Sequence, residues 1–336
     1  MSGSLLAMTR PLTSLLGIEH PIHQAGMGHV AYGALAAAVS EAGGLGVIGS
    51  GQLSGAELRR EIREARSRTD RPFGVDILFA RVSGSDSRVV QHTKQVQEHI
   101  DITLEERVPV LISGLGNPLG VIDEARRLGM KVMSVVGNVR QAIELEKAGV
   151  DAVIASGQDG GGHVGRVGTF VLIPAVVDAV KIPVVAGGGI ADGRGLVAAL
   201  LLGVQGIWMG TRFIASEEAR AHVNYKNKIV ACDDDGTVIS RAHSGKTVRM
   251  IRNRFTEEWK ARESEILPYP MQAQLVGRDA SHRGRIKDDV ENGALPARQS
   301  VALIHEVLPA RRIIEDILLE AAEVCRRFAP PAAVPA

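Results

Sequence analysis

Apolar residues in the first two thirds of this chain come in short runs of consecutive Val, Ile, Ala and Met. Each run leads into a Gly/Asn/Asp turn and then a stretch with helical spacing. The pattern predicts strands at Pro21–Gln24, Leu45–Ile48, Phe73–Ile77 and Pro109–Ser113. Four more are predicted at Lys131–Val135, Asp151–Ala155, Pro183–Ala186 and Gln205–Met209. The runs are apolar on successive residues rather than alternating, which suits parallel strands buried on both faces. Between them, apolar positions recur every three or four residues, as at Val121, Ile122, Ala125 and Leu128, or Val139, Ile143, Leu145 and Ala148. Gly129, Gly149 and Gly203 each stand between a helical stretch and the next strand, the place of a helix-stopping C′ glycine.

Eight strands alternating with helices can close into a barrel or lie open as a doubly wound sheet. The count of eight and the glycine loops after the last two strands favour an α/β fold of the (β/α)8 TIM-barrel type. The alternation stops after Phe213. Residues 214–299 are more polar and irregular, and read as an inserted, partly helical subdomain capping the barrel mouth. Helical spacing returns from Val301 to Phe328, so the barrel is expected to comprise 10–213 and 300–328. A disordered tail is expected at 329–336.

Composition narrows the function classes. Lys and Arg number 39 against 38 Asp and Glu, a net charge of +1, so no field draws the protein to nucleic acid or to an acidic membrane. No apolar run reaches the roughly 18 residues of a membrane span. Met1 to Arg10 has no basic region leading into an apolar core, so no secretory signal is read there. The two cysteines, Cys232 and Cys325, form no CxxC pair, which argues against a disulfide framework and against a metal site. A cytoplasmic location is expected, and a homodimer is left open.

Barrel enzymes carry their chemistry at the C-terminal ends of the strands. Strand 1 is followed there by Gly26, Met27 and Gly28, where a polarisable thioether between glycines suits packing on a ring system. Asp76 ends a buried strand, where a lone carboxylate is costly, so it is expected to meet a partner or a ligand. Strand 6 runs into Ser156, then Gly157, Asp159, Gly160, Gly161, Gly162 and His163. His163 is the side chain of that loop able to move a proton near neutral pH, and the glycines leave room for a flat ligand. Asp159 either orients the imidazole or caps the loop. Gly187, Gly188 and Gly189 follow strand 7, and Gly210 and Thr211 follow strand 8, an arrangement that suits backbone binding of a phosphate.

Taken together, these residues resemble the nitronate monooxygenase family, formerly called 2-nitropropane dioxygenases, which includes the FMN-dependent enoyl-acyl-carrier-protein reductases of the FabK type. The matching stretches are Gln24-Ala-Gly-Met27, Ala42-Gly-Gly-Leu-Gly46, Arg71-Pro-Phe-Gly-Val-Asp76, Gly157 to Gly165, Ala186-Gly-Gly-Gly-Ile-Ala-Asp-Gly193 and Met209-Gly-Thr-Arg-Phe213. The resemblance implies FMN, with its phosphate at Gly188, Gly189, Gly210 and Thr211, and Gly26, Met27, Asp76 and Gly161 around the ring and ribityl chain. It implies His163 as the active-site histidine. The substrate is then a small molecule, an alkyl nitronate oxidised with O2 to a carbonyl compound and nitrite. The alternative is an enoyl thioester or quinone reduced at the expense of NAD(P)H. The phosphate loops alone also allow a barrel that binds a phosphate ligand without redox chemistry.

The chain departs from the family pattern in places. Asp159 stands where relatives usually carry glutamate, and Val135 where some carry a lysine that contacts the flavin. Ala297-Arg298-Gln299 replaces a frequent Ala-Gly-Gln. Arg298 reads as a solvated rim residue, with bidentate binding of an acidic substrate or nucleotide phosphate as the other reading. The stretch from Tyr225 to Asn253 is shared by both branches and does not choose between them.

Overall fold

A computed structural model describes residues 3–79 and 93–328; the tail expected at 329–336 lies outside the described residues. The strands, in chain order, are β1 (Ile22–Gln24), β2 (Gly46–Gly49), β3 (Phe73–Phe79), β4 (Val110–Gly116), β5 (Lys131–Val136) and β6 (Ala152–Ser156). They continue with β7 (Gly162–His163), β8 (Val184–Gly187), β9 (Gly206–Met209), β10 (Thr237–Ser240) and β11 (Val248–Ile251). Eight of them pair in parallel, in the order β1-β9-β8-β6-β5-β4-β3-β2.

The ring closes between β1 and β2. The Gln24 N–H donates to Leu45 O at 2.9 Å, and the Leu45 N–H donates to Ile22 O at 2.9 Å. The Gln24 side chain extends this seam: its Oε1 accepts from the Val47 N–H at 3.0 Å and its Nε2 donates to Val47 O at 3.1 Å. A side-chain amide thus stands in for a peptide group and satisfies backbone atoms that water cannot reach. The expected (β/α)8 TIM barrel is present. Every barrel strand starts at the predicted residue or the next one, and β3 and β4 run on to Phe79 and Gly116.

Successive residues of a strand face opposite sides. Val47, Ile112, Ile154 and Val185 fill the barrel lumen, while their neighbours Ile48, Leu111, Val153 and Ala186 pack outward under the helices. Burial on both faces is why the runs lack polar alternation. Leu12 and Leu16, from a helix at Gly3–Leu16, join the lumen cluster. They plug the end where the strands begin, since a Cβ on Gly206 would meet Leu12 at 2.8 Å. This helix was not among the predicted elements. Gly129, Gly149 and Gly203 have φ of 77°, 91° and 94°, the left-handed geometry a C′ residue needs.

The helix Ala310–Arg327 closes the outer ring against Gly193–Leu201. The approach is so tight that a Cβ on Gly193 would lie 2.4 Å from Ala321 N and 2.5 Å from Ile317 O. Between these two helices, residues 214–299 form helices Val223–Val230, Arg254–Ala261 and Arg278–Ile286, together with β10 and β11. β11 pairs antiparallel with β10 on one edge and with β7 on the other, setting Val248 opposite His163 and Arg249 opposite Gly162. Backbone hydrogen bonds therefore tie this segment to the loop after β6. Among the described residues, no helix is long and apolar enough to cross a membrane.

Candidate active site

A cavity opens at the C-terminal ends of the barrel strands. Gly26, Met27 and Gly28 after β1, Asp76 in β3 and Ser156 at the end of β6 line its floor and sides. Gly161, Gly162 and His163 come from the following loop, and Gly210 and Thr211 from the end of β9. The far wall comes from beyond the barrel strands: Tyr225, His243, Val248, Arg285, Pro296 and Arg298. Ten of the residues singled out from the sequence are thus brought together. Gly187, Gly188 and Gly189 are not on the cavity wall; a Cβ on Gly188 would meet the Thr169 hydroxyl at 2.5 Å, and one on Gly189 would meet Asp159 at 3.5 Å.

His163 owes its position to β7. Gly162, at φ 75°, turns the chain so that the next residue can pair with β11. Flanking bonds hold the turn, from the Val164 N–H to Thr247 O at 3.2 Å and from Thr247 Oγ1 to Val164 O at 3.1 Å. The imidazole Nε2 is 2.8 Å from Ser244 Oγ. His243 stands edge-on at 6.2 Å between ring centroids, and its own Nε2 is 2.8 Å from Ser281 Oγ. Burial, reinforced by the nearby Lys246 and Arg285 charges, lowers the His163 pKa to about 4. The ring is therefore neutral at pH 7, able to accept a proton at one nitrogen or donate from the other.

Asp159 is not the histidine's partner. Its Oδ2 accepts from the Thr169 N–H at 2.9 Å, at the start of helix Thr169–Ala179, so of the two readings capping is the one observed. Ser244, 1% exposed, takes the place beside the histidine instead. Sequence reasoning missed it, although the adjacent pair His243-Ser244 before Gly245 was a usable signal.

Asp76 is 7% exposed, and its Oδ1 has no hydrogen-bond partner. Burial raises its pKa to about 8, against the opposing pull of the Gly114 N–H. Glycines crowd it on both sides: a Cβ on Gly26 would come within 2.6 Å of Oδ2, and one on Gly114 within 2.3 Å of Oδ1. A carboxyl with one oxygen unpartnered between two bare backbones has the form of a ligand contact.

Arg298 corrects the sequence reading. It is no solvated rim residue but 5% exposed, with Nη1 donating to Trp208 O at 2.6 Å. The flanking Ala297 and Leu295 are fully buried, and they draw the arginine inward with them. Arg285 also lines the cavity, donating through Nη1 to Gly28 O at 3.0 Å. Neither guanidinium has a carboxylate partner among the described residues. With Asp76 largely protonated at neutral pH, the cavity is cationic.

The profile of the nitronate monooxygenase family matches residues 9–320. The chain belongs to this family. A probable nitronate monooxygenase of Staphylococcus aureus is 37% identical over 299 residues, 79% of this chain and 84% of the relative. The structure of FabK from Thermotoga maritima is 43% identical, with a TM-score of 0.87 over 95% of this chain and 98% of that one. A nitroalkane oxidase from Streptomyces ansochromogenes is 31% identical, with a TM-score of 0.85 over 95% of this chain and 100% of that one. Membership makes this chain an oxidoreductase and sets aside the reading of a phosphate-binding barrel without redox chemistry.

Proposed function

We propose that this nitronate monooxygenase family member is FMN-dependent and oxidises alkyl nitronates with O2 to a carbonyl compound and nitrite. The observation that carries the substrate class is the cation beside the histidine. Arg285 bonds only backbone carbonyls, Gly28 O at 3.0 Å and Ala294 O at 3.4 Å, and has no carboxylate partner among the described residues. A half-buried cation on the cavity wall without a counter-ion favours an anionic ligand, and a nitronate is an anion at its reacting end.

The residues present fit a flavin. Gly26, Met27, Gly28, Asp76, Ser156, Gly161 and Gly162 would surround the ring and ribityl chain, where the orphaned Asp76 Oδ1 can meet a ligand N–H or O–H. Gly210 and Thr211 would hold the phosphate, while Gly187, Gly188 and Gly189, expected there from the sequence, lie off the cavity wall. FMN, when bound, supplies the electron acceptor that passes electrons from substrate to O2. The protein's part is to bind, orient and shield. Arg285 receives the nitronate oxygens, and His163, with Nε2 engaged by Ser244, offers Nδ1 to the substrate. On this reading residues 214–299 are a cap over a barrel of 10–213 and 300–328, and supply the substrate-facing wall.

A second reading has support in the 43% identity to FabK of Thermotoga maritima: NAD(P)H-dependent reduction of an enoyl thioester. Anaerobic mixing of the flavin-loaded protein with propionate-3-nitronate, NADH and NADPH separately tests both. Bleaching by the nitronate, with nitrite formed in air without NAD(P)H, is the expected result. Bleaching by NADPH alone overturns the proposal in favour of the reductase.

A further inference from the structure

Arg298 sits against the end of β9, on the wall of the cavity. Its backbone N–H donates to Thr211 Oγ1 at 2.9 Å, and its Nη1 donates to Trp208 O at 2.6 Å. The loop after β6 packs on its other side, so closely that a Cβ on Gly161 would lie 2.8 Å from Arg298 N and 3.1 Å from its Cγ. A Cβ on Gly210 would lie 3.8 Å from Nε. Two glycine backbones thus clamp the arginine stem and leave its guanidinium on the cavity wall.

A guanidinium has five N–H donors in a planar fork. Here one hydrogen bond, to Trp208 O, engages them among the described residues, and no carboxylate pairs with the charge. Burial lowers its pKa to about 10, which still leaves it charged at neutral pH. An isolated buried cation costs several kcal/mol unless an anion joins it.

We propose that Arg298 is the counter-ion of a phosphate monoester seated at Gly210–Thr211, namely the terminal phosphate of FMN. The inference rests on the FMN reading above. A planar fork matches phosphate oxygens two at a time, and the bare glycines let those oxygens approach the backbone. In this chain a side-chain charge therefore joins the backbone groups in holding the phosphate.

The test compares FMN with riboflavin, which lacks the phosphate. Apoprotein of the wild type, Arg298→Met and Arg298→Lys is titrated with each flavin, and binding is followed by fluorescence quenching. The wild type is expected to prefer FMN. Arg298→Met should lose about 10- to 100-fold in FMN affinity, the usual worth of a charge-assisted hydrogen bond, with riboflavin affinity unchanged. Arg298→Lys should fall between. Inorganic phosphate should raise the melting temperature of wild-type apoprotein and compete with FMN. Equal FMN affinity in wild type and Arg298→Met overturns the proposal, as does an equal loss of both flavins. Should Arg298→Met not fold, absence of phosphate competition in the wild type overturns it. If the wild type binds neither flavin, the FMN reading falls, and the phosphate shift alone then judges Arg298.

Discussion

His163 Nε2 and Ser244 Oγ meet at 2.8 Å across 81 positions of sequence. The bond joins the loop after β6 to the segment beyond the barrel strands, and it engages Nε2 of the ring. His163→Ala should keep its flavin and lose turnover by about 10²- to 10⁴-fold, the usual worth of a positioned acid/base group. Ser244→Ala should lower kcat by about 10-fold and leave KM nearly unchanged, because the ring loses its orientation but not its chemistry. Steady-state kinetics with propionate-3-nitronate measures both. An unaltered kcat in Ser244→Ala would mean that β7 alone holds the ring.

Arg285→Gln removes the cation proposed to meet the nitronate. KM for propionate-3-nitronate should rise by about 10- to 100-fold, as expected for loss of a charge-assisted hydrogen bond. A KM equal to that of the wild type would move the anion site elsewhere.

Burial lowers the pKa of both His23 and His163 to about 4, from 6.5 in the unfolded chain. Between those values the unfolded state takes up protons that the folded state refuses. Stability should therefore fall as pH drops from 6.5 toward 4, by up to about 1.4 kcal/mol per pH unit for each histidine. Urea unfolding at pH 7 and pH 5 reads this directly; equal midpoints would show that the rings accept protons in place.

Asp76 behaves in the opposite sense. Its pKa rises from 3.8 unfolded to about 8 folded, so across that window the folded protein holds a proton that the unfolded chain has released. The contribution of Asp76 to the stability of the flavin-free protein declines as pH rises from 4 to 8; above pH 6.5, where the histidines no longer oppose it, total stability should decline, and Asp76→Asn should remove that decline. Melting temperatures at pH 6 and pH 8.5 decide the matter. A wild type as stable at the higher pH would mean that the carboxylate is already compensated.

Gly193→Ala places a Cβ 2.4 Å from Ala321 N, where the closing helix crosses. A backbone atom cannot step aside as a side-chain tip can. The substitution should cost about 1–3 kcal/mol in denaturant unfolding, with flavin affinity unchanged.

The barrel was legible because its strands are buried on both faces: pairs such as Val47-Ile48 and Val153-Ile154 carry the fold in two adjacent letters. The glycine loops and His163 were legible because strand ends in this fold are where ligands bind. Local pattern does not contain the rest. β7 has two residues, too few for any periodicity, and its partner β11 lies far along the chain. Ser244 takes its place beside His163 only through that pairing. Arg298 looked like a surface arginine because its burial comes from Trp208 and Gly161, neither of them near it in sequence. The helix Gly3–Leu16 was missed because its two plugging leucines, Leu12 and Leu16, are too few to mark a helical stripe.

The pairing of β7 with β11 also bears on chimeras. Exchanging residues 214–299 between relatives would cut the ladder that sets Val248 opposite His163 and Arg249 opposite Gly162. A graft that respects this must transplant the loop after β6 together with the segment above it. The pieces that can be shuffled among such proteins are therefore not the barrel and its cover, but a strand-loop-hairpin unit and the scaffold that receives it.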